Sequence, residues 1–402
     1  MRIVILSETY SPQMGYSENV LPKYLARLGA EVHLLTTRLH PYYNLPDFHL
    51  IYESFVDSAN NKYLSEGRDG YTIHYLKNSK VFGYTRMKGL YATLRELKPD
   101  IVQTFAAISW IPLEAALIKQ LLGYKLFTGS HNTASTFLLA KRLDLKWDKD
   151  YIKCMLTRFI HGRFISLHTE KCYAVTVDCA DIAKRFFGVQ RNKVEIMHLG
   201  VDTDIFFPGN SEELVHERRE LREKLGFAES DIVCIYTGKL TKAKNALILA
   251  EAIERLRAMD KPFLGVFIGD GVQREAIRTH PSCITLPFMP YRGLAPFYRA
   301  ADIGVWPTDE STSMLDAAAC GISIIVSDGI VYREHIEGNG LVFKMNDLDD
   351  LVRMLLMLYD RGERERLGTF GAKKMASYFS WDSVASRRVK DYEVALGYSS
   401  RS

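Results

Sequence analysis

The segment VCIYTGKLTKAKN, residues 233–245, gives the clearest indication of the fold class. It begins with Val233–Thr237, a largely apolar run that is typical of a strand buried on both faces. Gly238 then allows a close turn, and Asn245 is a suitable cap for a helix that runs to about Ala258. A buried strand, a glycine turn and a helix form the repeating unit of a parallel sheet covered by helices.

The same alternation recurs on both sides of this segment. In the first half of the chain, strands are predicted at Ile3–Ser7, Glu31–Thr36, Tyr71–Leu76, Ile101–Thr104, Lys125–Gly129, Ala174–Thr176 and Val194–Met197. In the second half, they are predicted at Val233–Thr237, Gly265–Ile268, Ile303–Trp306 and Ser323–Ser327. The length of 402 residues exceeds the usual size of one hydrophobic core. The sequence therefore predicts an α/β protein with two Rossmann-like, doubly wound domains.

The domain boundary is expected near Gly200–Pro208, between the two series of strands. This assigns residues 1–198 to an N-terminal domain and residues 199–378 to a C-terminal domain. The last segment, 379–402, is amphipathic at Phe379–Leu396, and we expect it to return as a helix that completes the N-terminal domain.

The composition excludes several classes of protein. With 47% hydrophobic and 25% charged residues, the chain has the composition of a globular protein. No apolar run reaches the roughly 18 residues of a membrane span. The run Ile3–Leu6 is too short for a signal peptide, so a cytoplasmic protein is expected. Six scattered cysteines without a C-x-x-C pair favour reduced thiols over disulfides or a zinc site.

The charge is distributed unevenly between the halves. Residues 1–190 carry 24 Lys and Arg against 17 Asp and Glu, whereas the remainder carries 28 against 31. Within the first half, residues 141–171 interleave basic and apolar side chains. This stretch predicts either peripheral contact with an anionic membrane or a solvated amphipathic face, and both alternatives remain open. Acidic residues dilute the stretch, which argues against nucleic acid as a partner.

Two loops of the second half have the chemistry of an anion site, because ligands of open α/β sheets bind beyond the carboxyl ends of the strands. In the first loop, Gly238 permits close approach of the backbone, and Lys239 and Lys244 flank the start of a helix. Two ammonium groups with helix amides suit a diphosphate, although a solvated lysine-rich turn has the same pattern.

The second loop follows the strand Ile303–Trp306. Two acids and three small hydroxyl residues open a helix there, namely Asp309, Glu310, Ser311, Thr312 and Ser313. Their backbone N–H groups suit phosphate or sugar oxygens, and either acid suits sugar hydroxyls. Ordinary helix capping explains Glu310 and Ser311, but it does not explain Asp316 inside the apolar run Met314–Cys320. Asp316 is therefore a candidate ligand of vicinal ribose hydroxyls.

Together these segments resemble the retaining glycosyltransferases of the GT-B fold. The family patterns G-R-L-x-x-x-K-G and E-A-M-A-C-G are similar to Gly238–Asn245 and Asp316–Gly321. The crossover pattern N-G-V-D-x-x-x-F-x-P resembles Leu199–Pro208. Further matches are at Met14–Glu18, Gly269–Val272, Leu294–Asp302 and Trp381–Ala385. The resemblance spans nearly the whole chain and implies two facing Rossmann-like domains with a cleft between them.

The resemblance also implies roles for residues. Lys239 and Lys244 would hold the diphosphate and stabilise the leaving group, and Asp316 would bind the ribose. On the sugar side, Glu310, with Asp309 as its rival, would bind the donor sugar. Gly15 would let a backbone amide approach the phosphate, and His131 would lie beside the transferred sugar.

Three features depart from the family pattern. Lys239 stands where arginine is usual, Asp316 is one methylene shorter than glutamate, and the loop before Asp316 is about three residues short. A D-x-D sequence at Asp202–Asp204 resembles the metal motif of another glycosyltransferase fold. It lies in the crossover, where a turn containing aspartates is the expected interpretation, and no metal or other cofactor is expected.

The resulting hypothesis is metal-independent, retaining transfer of a hexosyl unit from a nucleoside-diphosphate sugar to a glycan or lipid-linked acceptor hydroxyl. A nucleotide-sugar epimerase or hydrolase on the same architecture is an alternative. A second alternative is a catalytically silent subunit that binds a nucleotide sugar. The silent-subunit alternative is motivated only by Lys239 and Asp316, which differ from the arginine and glutamate of the family pattern.

Overall fold

The computed structural model describes residues 1–45, 48–52, 69–142, 148–308, 311–330 and 332–398. Within these ranges the N-terminal half is built on a seven-stranded parallel sheet in the order β3-β2-β1-β6-β7-β8-β9. Its strands are β1 (Arg2–Leu6), β2 (Glu31–Thr36), β3 (Thr72–Tyr75), β6 (Ile101–Thr104), β7 (Lys125–Ser130), β8 (Thr169–Ala174) and β9 (Val194–Ile196). A short antiparallel hairpin joins β4 (Asn78–Val81) to β5 (Tyr84–Met87).

The C-terminal half is built on a six-stranded parallel sheet in the order β12-β11-β10-β13-β14-β15. Its strands are β10 (Ile232–Thr237), β11 (Phe263–Ile268), β12 (Cys283–Leu286), β13 (Ile303–Trp306), β14 (Ser323–Ser327) and β15 (Gly340–Phe343). Every residue of β10 is buried, because helices cover both faces of this central strand.

Helices cover both sheets. In the first half they are α1 (Ser17–Arg27), α2 (Phe48–Ile51), α3 (Leu90–Leu97), α4 (Trp110–Leu122), α5 (Lys149–Cys154), α6 (Ile160–His168) and α7 (Val177–Phe186). A π-helical turn, Met155–Phe159, joins α5 to α6. In the second half they are α8 (Glu212–Lys224), α9 (Leu247–Arg257), α10 (Arg274–Arg278), α11 (Leu294–Ala300), α12 (Thr312–Ala319), α13 (Leu348–Met357), α14 (Arg361–Ser377) and α15 (Trp381–Ala395). No helix in the described ranges combines the length and apolar character needed to cross a membrane.

The predicted fold class is confirmed, and the differences are local. The strand expected at Ala174–Thr176 ends at Ala174, because the Thr176 hydroxyl accepts a hydrogen bond from the amide of Cys179 and caps α7. Asn245 does not cap α9: it has a left-handed φ of 47°, and the helix begins two residues later. All six cysteines are free thiols, as predicted.

The chain crosses between the halves twice, and the two crossings lie side by side. The Val201 amide donates to the Phe379 carbonyl at 2.7 Å, and the Trp381 amide donates to the Val201 carbonyl at 3.0 Å. After the second crossing, α15 packs against α1, and the Tyr392 hydroxyl bonds Gln103 of β6 at 3.0 Å. The last helix therefore belongs to the core of the N-terminal half.

The D-x-D aspartates are bound by basic residues of α1. Both carboxylate oxygens of buried Asp202 accept hydrogen bonds from the Lys23 ammonium, at 3.0 and 2.9 Å, and one also accepts from Tyr24 at 2.8 Å. Asp204 pairs with Lys23 and with Arg27. These aspartates therefore tie the first crossing to the N-terminal half.

Candidate active site

Two glycine loops form a backbone cradle at the carboxyl edge of the C-terminal sheet. The loop after β10 contains Gly238, with φ 144°, and the loop after β11 contains Gly269 and Gly271, with φ 149° and 146°. The amide of Leu240 donates to the Asp270 carbonyl at 2.8 Å, which holds the loops together. A Cβ at Gly269 would overlap the Gly238 carbonyl oxygen, so only glycine permits this approach.

A hydrogen-bonded framework fixes the cradle relative to the neighbouring strand. The Thr237 hydroxyl lies 2.7 Å from the Tyr298 hydroxyl, and the Trp306 indole N–H donates to the Thr237 carbonyl at 3.1 Å. These groups are buried, so their mutual hydrogen bonds replace those lost to water. The ends of β10 and β13 are therefore held in a fixed relation.

Lys239 extends from the cradle towards the other half of the protein. Its ammonium lies 5.0 Å from the ring centroid of Tyr42 and 5.1 Å from that of Tyr52, within the range of cation–π attraction. The two tyrosine rings stack on each other with centroids 5.0 Å apart. Lys244 lies half-buried in the following turn, where its amide donates to the Thr241 carbonyl at 3.0 Å.

The helix α12 presents its first turns to the same edge. Ser311 is the N-cap residue, without a side-chain cap hydrogen bond, and Thr312 and Ser313 open the helix. Asp316 is 3% exposed and accepts a hydrogen bond from the Tyr291 hydroxyl at 3.3 Å. Burial raises the pKa of Asp316 well above its ordinary value, since little solvent stabilises the charged form. Asp309 and Glu310, the predicted sugar-binding acids, lie outside the described residues.

Gly15 lies directly against the ring of Tyr291, across the boundary between the halves. A Cβ at Gly15 would lie 2.3 Å from the ring carbons Cδ2 and Cε2. The contact is reinforced by the backbone, because the Tyr291 amide donates to the Gln13 carbonyl at 2.9 Å. The sequence predicted that Gly15 lets a backbone amide approach a phosphate closely. In the structure, the group that lies close to Gly15 is the ring of Tyr291.

A cavity of about 250 Å³ opens between the two halves. It brings together four of the predicted site residues, Gly15, His131, Thr312 and Asp316. Five other predicted residues are not in its lining: Gly238, Lys239, Lys244, Ser311 and Ser313. Lys239 nevertheless adjoins the cavity through Tyr42, whose ring forms part of the lining.

His131 enters the cavity from the end of β7. Its ring meets that of Phe105 edge to face, with centroids 6.0 Å apart. His131 is exposed at the open cavity, and the protein atoms packed around its ring, with a smaller contribution from Arg388, lower the pKa of the imidazole. The imidazole is therefore neutral at pH 7 and able to accept a hydrogen bond from a hydroxyl group.

Several lining residues were not predicted as site residues: Tyr16, Glu18, Tyr42, Tyr291 and Trp381. Glu18 and Tyr16 stand in the quoted Met14–Glu18 motif, which was the available signal for them. Burial raises the pKa of Glu18 to about 7. Trp381 begins the closing helix matched at Trp381–Ala385, and its 2% exposure fits core packing as well as a place in the cavity wall.

Comparisons with known proteins cover both halves of the chain. The family model described as "Glycosyltransferase Family 4" matches residues 21–205, and "Glycosyl transferases group 1" matches residues 231–361. A D-inositol 3-phosphate glycosyltransferase of Xylanimonas cellulosilytica is 26% identical over 238 residues, which are 55% of this chain and 56% of that protein. The chain therefore spans about half the length of such curated relatives.

Solved structures match over nearly the full length. A glycosyltransferase from Rickettsia africae superposes with a TM-score of 0.71 at 14% identity, covering 99% of both chains. HepE of Anabaena in complex with UDP superposes with a TM-score of 0.68 at 12% identity, covering 98% of this chain and 100% of that one. At these identities the likeness concerns the fold, which is the GT-B arrangement of two facing Rossmann-like domains.

Proposed function

Because this chain belongs to the GT-B glycosyltransferases, we propose that it transfers a hexosyl unit from a nucleoside-diphosphate sugar to an acceptor hydroxyl. The observation that carries the proposal is the cavity between the halves. It joins Thr312 and Asp316 of the C-terminal half to Gly15 and His131 of the N-terminal half. A donor bound to the C-terminal wall would then lie next to an acceptor that enters along the N-terminal wall.

In this proposal the diphosphate binds at the edge formed by the glycine cradle and the start of α12. Lys239 and Lys244 supply positive charge, and the first amides of α12 supply hydrogen-bond donors. Negative charge grows on the departing diphosphate as the glycosidic bond breaks, and these groups stabilise it. Two ammonium groups and a helix terminus provide what a divalent cation would otherwise provide, so the proposed transfer is independent of metal.

Asp316 is proposed to bind the ribose of the donor. Its Tyr291 partner donates to only one carboxylate oxygen, which leaves acceptor capacity for a hydroxyl group. On the opposite wall, neutral His131 is proposed to bind a hydroxyl of the transferred sugar. The bound sugar then lies between the two halves, with its anomeric carbon facing the acceptor side.

We propose that the transfer retains the anomeric configuration. One cavity contains both the N-terminal wall and the start of α12. This supports approach of the acceptor hydroxyl from the same side as the departing diphosphate. Positioning and electrostatic stabilisation then supply the catalysis. The configuration of the product, determined by NMR, tests this part directly.

A thermal-shift panel of UDP, GDP and ADP and their hexose derivatives tests the donor site. A ligand at 100 times its Kd stabilises the folded protein by about 2.7 kcal/mol, which is readily measured. UDP-glucose is a reasonable first donor, since a protein of similar fold was crystallised with it. We expect one base to give the largest shift, and turnover to persist in EDTA. Absence of a shift with every nucleotide at millimolar concentration would contradict the proposal.

We further propose that the stretch 141–171, of which residues 143–147 lie outside the described residues, contacts an anionic membrane at its cytoplasmic face, where a lipid-linked acceptor would be presented. Exposed apolar and basic side chains alternate at helical spacing along α5, the π-helical turn and α6, namely Lys153, Leu156, Ile160, Arg163 and Leu167. Such a stripe combines insertion of apolar groups with attraction to anionic headgroups.

Co-sedimentation with phosphatidylserine vesicles tests the membrane proposal. Replacement of Leu156 and Ile160 by serine should abolish binding, because both side chains are more than half exposed and their loss leaves the core intact. Replacement of Lys153 and Arg163 by glutamine should weaken binding most at low salt. Failure of the wild-type protein to sediment would end this proposal without affecting the donor site.

A further inference from the structure

The charge of the cavity lining restricts the chemistry of the acceptor. Among the described residues, the lining contains two carboxyl groups, Glu18 and Asp316, together with neutral His131, and neither lysine nor arginine. Two basic groups close to this lining contact aromatic rings. Lys239 lies against the ring of Tyr42, and Arg388 is 2% exposed and stacks on Tyr173 at 4.5 Å.

Glu18 is the carboxyl group of this lining to which the donor assignment gives no role. It stands in the first turn of α1, three residues after Gly15, and belongs to the N-terminal wall. In the described part of the chain its carboxylate has no salt-bridge partner, and its own backbone amide is its single hydrogen-bond donor. An unpaired, half-buried carboxyl group beside a cavity favours a ligand that can donate hydrogen bonds.

The neighbours of Glu18 suit a sugar-like group. The rings of Tyr16 and Tyr42 stand edge to face beside it, with centroids 6.0 Å apart, and both line the cavity. Thr9 and Thr312 add hydroxyl groups to the same lining. Apolar ring faces with a few polar groups are the usual surroundings of a bound neutral ligand.

A phosphorylated acceptor end does not suit this lining. A phosphate group would lose water there without gaining a lysine or arginine partner from the described lining. Curated relatives of this chain bear names that specify D-inositol 3-phosphate, a phosphorylated compound, which this lining does not suit.

We propose that Glu18 binds acceptor hydroxyl groups and that the cavity selects an uncharged, hydroxyl-rich acceptor end over a phosphorylated one; the inference rests on the proposed function. A lipid or a longer glycan attached to that end lies outside the cavity. Charge at a distance from the reacting hydroxyl is therefore compatible with the selection.

The experiment compares matched acceptors with the donor that gives the largest thermal shift. The acceptors are myo-inositol and D-inositol 3-phosphate, and octyl hexosides with and without a 6-phosphate, with products detected by mass spectrometry. We expect kcat/KM for each neutral acceptor that reacts to exceed that for its phosphorylated counterpart by at least tenfold. A phosphorylated acceptor that reacts better than its neutral counterpart overturns the inference. So does the absence of product with every neutral acceptor when the donor is bound.

The variant Glu18→Gln keeps the size of the side chain and replaces one carboxyl oxygen, a hydrogen-bond acceptor, by an amide group that only donates. We expect KM for the neutral acceptors to rise at least tenfold and the preference over phosphorylated acceptors to fall at least tenfold, with the donor thermal shift unchanged. Glu212→Gln, in the exposed first turn of α8, is the matched control. Unchanged KM and preference in Glu18→Gln overturn the inference. If no nucleotide or nucleotide sugar gives a thermal shift with the wild-type protein, that result contradicts the proposed function and not the role of Glu18.

Discussion

Substitution of Gly15 by alanine tests whether the N-terminal loop positions Asp316 through Tyr291. A Cβ at Gly15 would lie 2.3 Å from the Tyr291 ring, whereas ordinary van der Waals contact begins at 3.4 Å. The ring must therefore withdraw by about 1.1 Å. It cannot do so freely, because Phe206 lies against it with centroids 4.9 Å apart. The Tyr291 hydroxyl would then lose its 3.3 Å hydrogen bond to Asp316.

The expected consequence is a large loss of activity with a moderate loss of stability. A misplacement of about 1 Å in a site can cost about 100-fold in rate. Overpacking by one methyl group costs about 1–3 kcal/mol of stability. We therefore expect Gly15→Ala to fold, to bind the nucleotide more weakly, and to release nucleoside diphosphate from the donor about 100-fold more slowly. A coupled assay of diphosphate release measures the rate, and urea unfolding measures the stability.

Gly293→Ala is the matched control, because Gly293 lies only two residues after Tyr291. Its φ is −74°, and a Cβ there would meet only the Met289 sulfur at 3.8 Å. This substitution should leave the rate unchanged and should raise the stability by several tenths of a kcal/mol, since alanine restricts the unfolded chain. If Gly15→Ala releases diphosphate within twofold of the wild-type rate, then Tyr291 does not position Asp316 for the reaction.

Three other substitutions probe separate parts of the molecule. Lys244→Ala should abolish turnover in the diphosphate-release assay without changing the midpoint of urea unfolding. Lys242→Ala, at an exposed neighbouring position, should leave turnover unchanged. Wild-type activity in Lys244→Ala would show that this lysine is not part of the donor site. Asp202→Ala should lower the free energy of unfolding in urea by about 3 kcal/mol, because it leaves the buried Lys23 ammonium with fewer partners. A loss of less than about 1 kcal/mol would contradict this prediction. Burial lowers the pKa of His335 to about 3, below the unfolded value, so its contribution to stability is present above about pH 6.5 and is lost as the pH falls towards 3. Between pH 6 and 4 the wild-type protein should lose about 1.4 kcal/mol per pH unit more than His335→Gln, and equal slopes would refute the assignment.

The strands of both sheets were largely predictable because parallel strands are buried on both faces and form unbroken apolar runs. Ile3–Leu6 and Ile303–Trp306 illustrate this, since every one of these residues is buried. The edge strands β12 and β15 were not predicted. Their residues are mostly half-buried, so the apolar signal is diluted at the margin of the sheet.

The start of α9 shows how a local rule can be overridden. Asparagine is a favoured N-cap, but Asn245 takes a left-handed conformation, and its side chain donates to that of Asn346 at 3.0 Å. That contact joins residues 101 positions apart in the chain. Single-sequence reasoning has no access to a partner at such a separation.

The candidate site was predictable where a short motif carried it, and elsewhere it was not. Asp316 stood out as an acid within an apolar run, and it is indeed buried among the core residues of α12. Tyr291 gave no comparable signal, and Trp381 was matched only as the first residue of the closing helix, where an aromatic residue usually indicates packing. Their places in the cavity depend on the approach of the two halves, which no local pattern encodes.

The paired crossings at Val201 and Ser380 have a mechanical consequence. Two segments of the chain bonded side by side form a narrow ribbon. Such a ribbon bends easily across its thin dimension and resists twisting and sideways bending. A single connecting segment would allow the halves to rotate about it, whereas paired segments allow bending in one direction only. Any movement of the halves relative to each other would have to bend this ribbon, so the two walls of the cavity would be held in one alignment against twisting.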